Sequence, residues 1–283
     1  MRLVLLVPWL WLGASAQDFT LAAISKIATG YRFTEGAAWS KDGFLIFSDT
    51  AKNQLFKWVP GHAAEIFREN ANGPSGNVFD AQGRLYTCET RARRVTRTDR
   101  NGNIEILAER WEGKRLNAPS AIAIAKSGQV YFTDSAFGYQ SDNRELDFYG
   151  VYRIPQKGPL QLVAKLPGRP RGVALSPNGR TLYVSEADDH RVLAYDLDRN
   201  GEASGERILI ADTEGVPGGI SVDEAGNLYV AANGVSVYNS EGRLLRTIPT
   251  RDPASSVSFG DADSKSLFVT ARGDLYRLRP GEK

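Results

Sequence analysis

The chain has little of what covalent scaffolds and metallohydrolases are built from. Its 283 residues include one cysteine, Cys88, and two histidines, His62 and His190. A lone thiol rules out an internal disulfide, and so few imidazoles leave no His-rich zinc motif. Neither sign of charge is in excess. The 35 Lys and Arg stand against 33 Asp and Glu, too even a balance to hold a nucleic-acid backbone. Arg91, Arg93, Arg94, Arg97 and Arg100 cluster, but the alternation of RRVTRT puts them on a solvated strand face. No Gly-x-Ser-x-Gly elbow occurs, and His190 adjoins Asp188 and Asp189 too closely to be one arm of a triad. Gly218-Gly219 has neither the further glycine nor the strand-to-helix setting of a dinucleotide loop.

Long hydrophobic runs are missing too, except at the start. Met1 and Arg2 precede an apolar run of ten at residues 3–12, and Ala14-Ser15-Ala16 forms a small-x-small cleavage pattern before Gln17. Ten residues are too few to cross roughly 30 Å of bilayer as a helix. The expectation is a signal peptide at residues 1–16, with a short N-terminal anchor as the alternative, and a single domain at residues 17–283. The mature protein would be exported, periplasmic or secreted, with no membrane partner after cleavage.

What the chain does have is a repeat. Six segments superimpose: WSKDGFLIFSD at 39–49, FDAQGRLYTCE at 79–89, IAKSGQVYFTD at 124–134, LSPNGRTLYVSE at 175–186, VDEAGNLYVAA at 222–232 and FGDADSKSLFVTA at 259–271. Each reads as a strand end, a polar turn and a second strand, with Gly43, Gly83, Gly128, Gly179 and Gly226 supplying the positive φ of a tight turn. Ser264 stands where the sixth glycine belongs, which predicts a longer or looser turn there. A third alternating strand follows each hairpin, as in NQLFKWVPG and GVYRIPQKG. A period of roughly 40–50 residues suits four short strands per unit. No stretch shows a helical period. The predicted fold is all-β, a six-bladed β-propeller of four-stranded antiparallel blades. A two-sheet sandwich would need two of the repeats to differ in kind. The last repeat runs out of chain after three strands, so residues 19–28 (FTLAAISKIA) are predicted to supply the outer strand of the final blade and close the ring.

Function in such a ring collects where the innermost strands begin, because six backbones converge there. The residues at those starts are Glu35, Ser75, Ser120, Arg171, Gly218 and Ser256. Only Glu35 and Arg171 carry charge, and they are the catalytic candidates. Asn117, Ser120 and Asp134 are candidates for contacting a substrate. Plainer roles stand beside these: Glu35 bonded to backbone amides, Arg171 pointing out to solvent, Asn117 fixing the proline turn that follows it. Asp49, Glu89, Asp134 and Glu186 end the second strands of four blades, where they either brace loops or form an alternative cation site.

The stretches YRFTEGAAW, GRLYTCE, EGKRLNAPS, VYFTDSAFG, DFYGVYRI, LSPNGRTLYVSE and GNLYVAANGVSVY resemble the regucalcin/gluconolactonase (senescence marker protein) family of six-bladed propellers, over nearly all of the mature chain. The resemblance implies hydrolysis of a sugar lactone or related cyclic ester. In that family a divalent cation, commonly calcium or zinc, sits at the channel mouth and polarises the carbonyl while a carboxylate assists water. The family's Glu-Gly-Pro start matches Glu35-Gly36, with Ala37 for the proline, so Glu35 survives as a metal-ligand candidate. The Pro-Asn-Asp element falls on Pro119-Ser120-Ala121, the Asn-Gly on Arg171-Gly172, and the Pro-Asp-Gly on Pro217-Gly218-Gly219. Cys-Glu-His becomes Cys88-Glu89-Thr90.

Three of the four positions that usually touch the ion have therefore changed. A Ca²⁺ ion wants about six to eight oxygens. A guanidinium near 4 Å would oppose a divalent ion by roughly 8 kcal/mol at an effective dielectric of 20. The expectation is that Arg171 takes the ion's place and pairs with Glu35. No cofactor is then expected, unless Ca²⁺ or Zn²⁺ finds a site rebuilt from other residues. Two functions from different classes follow. One is an exported gluconolactonase-like hydrolase with the family's metal site degraded; the other is a non-catalytic propeller that binds a small anionic molecule through Arg171. Specificity is expected from the loop at residues 136–149.

Overall fold

Short polar turns keep consecutive strands adjacent, so each repeat folds back on itself as a four-stranded antiparallel sheet. The computed structural model describes Phe19, residues 23–137 and residues 143–280; the expected signal peptide at residues 1–16 and part of the 136–149 loop lie outside the described residues. Six such sheets stand around an axis as the blades of a propeller. Their innermost strands are Thr34–Ser40, Pro74–Phe79, Ala118–Ile124, Pro170–Leu175, Ile220–Val222 and Ala254–Gly260. Strand order follows the chain in five blades. In the sixth, Ala23–Thr29 pairs antiparallel with Asp274–Arg279, Lys26 opposite Tyr276, and supplies the fourth strand. The closure read from the sequence is the one found.

Gly43, Gly83, Gly128, Gly179 and Gly226 all lie at positive φ, as their turns require. The sixth turn departs from the expectation of a looser loop. Ser264 takes a φ of 55°, and its N–H bonds to Asp261 O at 3.0 Å. That is the closure Gly226 makes with Asp223 O, also at 3.0 Å. The turn is as tight as the others, with a side chain forced into a left-handed conformation that costs about 1–2 kcal/mol.

The described residues share no single core. Both faces of each blade are covered by its neighbours, and apolar side chains form six separate clusters, one per seam between blades. This is why the second strands, such as Leu228–Ala232, are buried along their whole length. Adjacent residues on one strand serve different seams: Tyr131 packs toward the fourth blade and Phe132 toward the second. Trp39 stacks on Phe268 at 5.6 Å across the first–sixth seam. Each fully buried ring of this size contributes about 1.5–3 kcal/mol.

Polar latches stitch the same seams near the axis. Ser48 Oγ donates to Ser75 O at 2.7 Å, Ser185 Oγ to Gly218 O at 2.6 Å and Ser255 Oγ to Thr34 O at 2.6 Å. Cys88 occupies the corresponding place in the second blade, its thiol facing Ala121 O at 3.6 Å. The lone buried cysteine is one member of this ring of latches.

Candidate functional site

Five innermost strands carry a register irregularity in their first residues, between Glu35 and Ala38, Pro74 and Asn77, Pro119 and Ile122, Pro170 and Gly172, and Ala254 and Ser256. A bulge re-aims a side chain that regular pleating would send into the seam. Here it directs Glu35, Ser75, Ser120 and Arg171 toward the axis. These residues thus lie within their strands rather than ahead of them, and only Gly218 precedes its strand. Two glycines let the backbones converge. A Cβ on Gly36 would lie 2.0 Å from Ser75 O, and one on Gly218 would lie 2.2 Å from Ser255 O.

Glu35 and Arg171 come from the first and fourth blades, which face each other across a six-bladed ring. Their side chains meet on the axis: Arg171 Nη2 donates to Glu35 Oε1 at 2.6 Å. Ser75 Oγ donates to the other carboxylate oxygen, also at 2.6 Å. The pair is 19% and 13% exposed, so it is screened far less than a surface bridge. Ser256 Oγ accepts the Gly36 N–H at 2.9 Å and holds the carboxylate's strand in place.

The ion pair separates two spaces. On one side is a narrow pore of about 70 Å³, walled by the innermost strands. On the other is a chamber of about 280 Å³, bordered by Phe33, Thr50, Thr90 and Phe137 in addition to the pair itself. Phe137 has the Arg171 guanidinium 5.4 Å and the Arg169 guanidinium 4.6 Å from its ring centroid, a cation–π arrangement. Arg169 is held in turn by Asp188 at 2.8 Å.

Of the other candidates, Ser120 borders both spaces and has no hydrogen-bond partner among the described residues. Asn117 and Asp134 border neither. Asn117 is 1% exposed, its Nδ2 donating to Phe148 O at 2.9 Å. Asp134 is fully buried and accepts the N–H groups of Asn117 and Ala118 at 2.8 Å each. Burial pushes its carboxyl pKa up to about 7. The two residues shape the loop before the third inner strand, behind the chamber wall. Asp49 and Glu186 brace loops, Asp49 by accepting the N–H groups of Arg32, Phe33 and Lys52 at 2.9–3.2 Å and Glu186 by accepting that of Gly168 at 3.0 Å, whereas Glu89 accepts from the strand side chains Arg94 and Thr96. Among the described residues no three of His, Cys, Asp and Glu converge as a cation site.

The chamber residues Phe33, Thr50, Thr90 and Phe137 were not singled out from the sequence. A signal for two of them was there: Thr50 and Thr90 each follow a strand-ending acid, in FSDT and TCET.

Residues 33–273, from the chamber wall to the last hairpin, match the SMP-30/gluconolactonase/LRE-like region. The chain belongs to the SMP-30/gluconolactonase family. Among its relatives, a gluconolactonase of Zymomonas mobilis is 31% identical over 290 residues, covering 90% of this chain and 81% of its own. A pentonolactonase of Haloferax volcanii is 26% identical over 262 residues, 87% and 84% of the two chains. A solved gluconolactonase of Xanthomonas campestris superposes with a TM-score of 0.85 at 33% identity, over 91% and 89%. A calcium-binding regucalcin of Agrobacterium tumefaciens shares the fold, with a TM-score of 0.79 at 17% identity over 91% and 93%.

The divalent cation that the SMP-30/gluconolactonase family implies does not fit this donor set. A guanidinium already sits within hydrogen-bond distance of Glu35, the one acid lining these spaces among the described residues. The backbone at Gly218 packs too closely on Ser255 to take a coordinating side chain without moving it.

Proposed function

We propose that this protein hydrolyses a small lactone in the chamber above the Glu35–Arg171 pair, with the arginine supplying the positive charge at the carbonyl. One observation carries the reading: the guanidinium is fixed on the axis by a 2.6 Å bond to Glu35, while its Nε and Nη1 have no partner among the described residues. Lactonase activity in relatives that cover most of the chain supports it.

The chemistry follows from those free donors. A lactone carbonyl oxygen lies against the unused N–H groups of Arg171. Each Glu35 oxygen keeps a lone pair beyond its existing bond, and the carboxylate takes a proton from water as the water oxygen bonds to the carbonyl carbon. The carbonyl electron pair moves onto oxygen, where Arg171 stabilises it. Collapse of that adduct breaks the ring C–O bond, and the departing ring oxygen recovers the proton from Glu35. The product hydroxy acid loses its carboxyl proton to solvent. Positioned base and oxyanion donors contribute about 10²–10⁴-fold and about 10²–10³-fold respectively.

Titration at constant pH with glucono-δ-lactone and dihydrocoumarin tests the proposal. Turnover above the spontaneous rate is expected to persist in EDTA and to fall at least about 10²-fold in Glu35→Gln. Activity lost on chelation would restore the family's metal-dependent route, and no turnover of either lactone would leave a binding propeller. Export belongs to the same proposal: residues 1–16 act as a signal peptide. N-terminal sequencing of the exported protein is expected to begin at Gln17, and a product retaining residues 1–16 contradicts it.

A further inference from the structure

Resting on the lactonase reading, we infer that the favoured substrate carries an apolar ring, as an aryl-fused or alkyl-substituted lactone does, rather than the polyhydroxylated ring of a sugar lactone. Phe33, 37% exposed, and Phe137 present phenyl surface to the space, and Ala118 adds a methyl. The hydroxyls around them look hospitable to a sugar, but their protons are already committed. Thr50 Oγ1 donates to Pro74 O at 2.6 Å, Thr90 Oγ1 to Gly73 O at 2.9 Å and Ser75 Oγ to Glu35 at 2.6 Å. Each keeps lone pairs to accept with and no hydrogen to give.

Among the described residues that border the chamber, two side chains still have a hydrogen to give, Ser120 and Arg171, and the mechanism reserves the remaining N–H groups of Arg171 for the ester carbonyl. A sugar ring must both give and receive at each hydroxyl as it leaves water, and a hydroxyl desolvated without its partners is penalised. Glucono-δ-lactone would bring four hydroxyls against two phenyl groups and, among the described residues, a wall short of donors. An apolar ring brings none, covers Phe33 and Phe137, and leaves the committed hydroxyls undisturbed. The carbonyl end, facing Arg171 and Glu35, is served equally well in both substrates. The discrimination therefore resides at the far end of the ligand, away from the reacting atoms, and should appear mainly in KM.

Steady-state kinetics on dihydrocoumarin and glucono-δ-lactone, each corrected for spontaneous hydrolysis, decide it. The ratio of kcat/KM is expected to favour dihydrocoumarin by about tenfold to a hundredfold, the range in which an apolar pocket discriminates against added hydroxyls. Phe137→Leu and Phe33→Leu are each expected to bring that ratio toward one, chiefly by raising KM for the aryl lactone. Calorimetric titration with 3-(2-hydroxyphenyl)propanoate and with gluconate, the two hydrolysis products, reads the same preference without turnover, and the aryl acid is expected to bind about tenfold tighter. If neither lactone is turned over but the aryl acid binds preferentially, the hydrolase reading fails and the ligand class stands. A wild-type ratio at or below one in turnover overturns the inference, as does the same ratio in product binding when there is no turnover.

Discussion

Breaking the axial ion pair from either side should destabilise the propeller more than breaking it from both sides at once would suggest. The Arg171–Glu35 contact is 2.6 Å with side chains 19% and 13% exposed. With charge centres about 4 Å apart, the Coulomb attraction at an effective dielectric of 20 is about 4 kcal/mol, an upper bound before desolvation is subtracted. Arg171→Met strands a carboxylate that retains one hydroxyl donor, Ser75. Glu35→Gln leaves the guanidinium without its carboxylate partner, against the Phe137 ring. Partial exposure reduces each penalty below the 3–5 kcal/mol typical of a fully buried pair, to about 2 kcal/mol. The double variant removes both charges, so its loss should fall short of the sum by about 2 kcal/mol. Urea unfolding of the four proteins at pH 7 measures this coupling. Single losses that add within about 0.5 kcal/mol would refute the reasoning and reduce the contact to an ordinary surface bridge.

Three further outcomes follow from the same structure. Asp134 keeps its proton in the native state up to about pH 7, whereas the unfolded chain releases it near pH 4. The folded protein therefore holds more protons across that window, and stability should fall as pH rises through it, by an amount of the order of a few kcal/mol. Urea midpoints at pH 5 and 8 should show this slope in the wild type and not in Asp134→Asn; equal slopes contradict it. Asp188, held below the ordinary range by the hydrogen bond from Arg169, acts in the opposite sense, and only as pH falls below about 4. Ser264→Gly should stabilise the sixth hairpin by about 1 kcal/mol by relieving the left-handed serine, and a lower thermal midpoint than the wild type would show that the strain is not there. Gly218→Ala should cost several kcal/mol, because its Cβ would fall 2.2 Å from Ser255 O; a wild-type thermal midpoint for that variant contradicts the close packing around the axis.

The blade architecture was legible because each repeat writes its own turn and strand periods locally. Gly43, Gly83 and Gly226 mark turns wherever they occur, and the three-strand last repeat announces that residues near the N-terminus must complete it. Ser264 misled because a serine can be forced into a glycine's conformation when the flanking strands fix the loop, and tertiary context decides that. The charged pair was legible for a similar reason: strand starts converge in a propeller, so two residues 136 apart in sequence are carried to one axis. Asn117 and Asp134 illustrate the limit. Their positions place them near the mouth, but the bulge after Pro119 sends Ser120 to the axis while Asn117 and Asp134 bond behind the wall. Phe33 and Phe137 lie in connecting segments without period, so nothing local signalled that their rings would border one chamber.

In the proposed site the guanidinium of Arg171 holds the place at the channel mouth that a divalent ion would otherwise take. Calorimetric titration of the purified protein with Ca²⁺ and with Zn²⁺ tests it most directly. No saturable one-to-one binding of either ion to the wild type is expected. Stoichiometric binding that disappears in Glu35→Gln would contradict it.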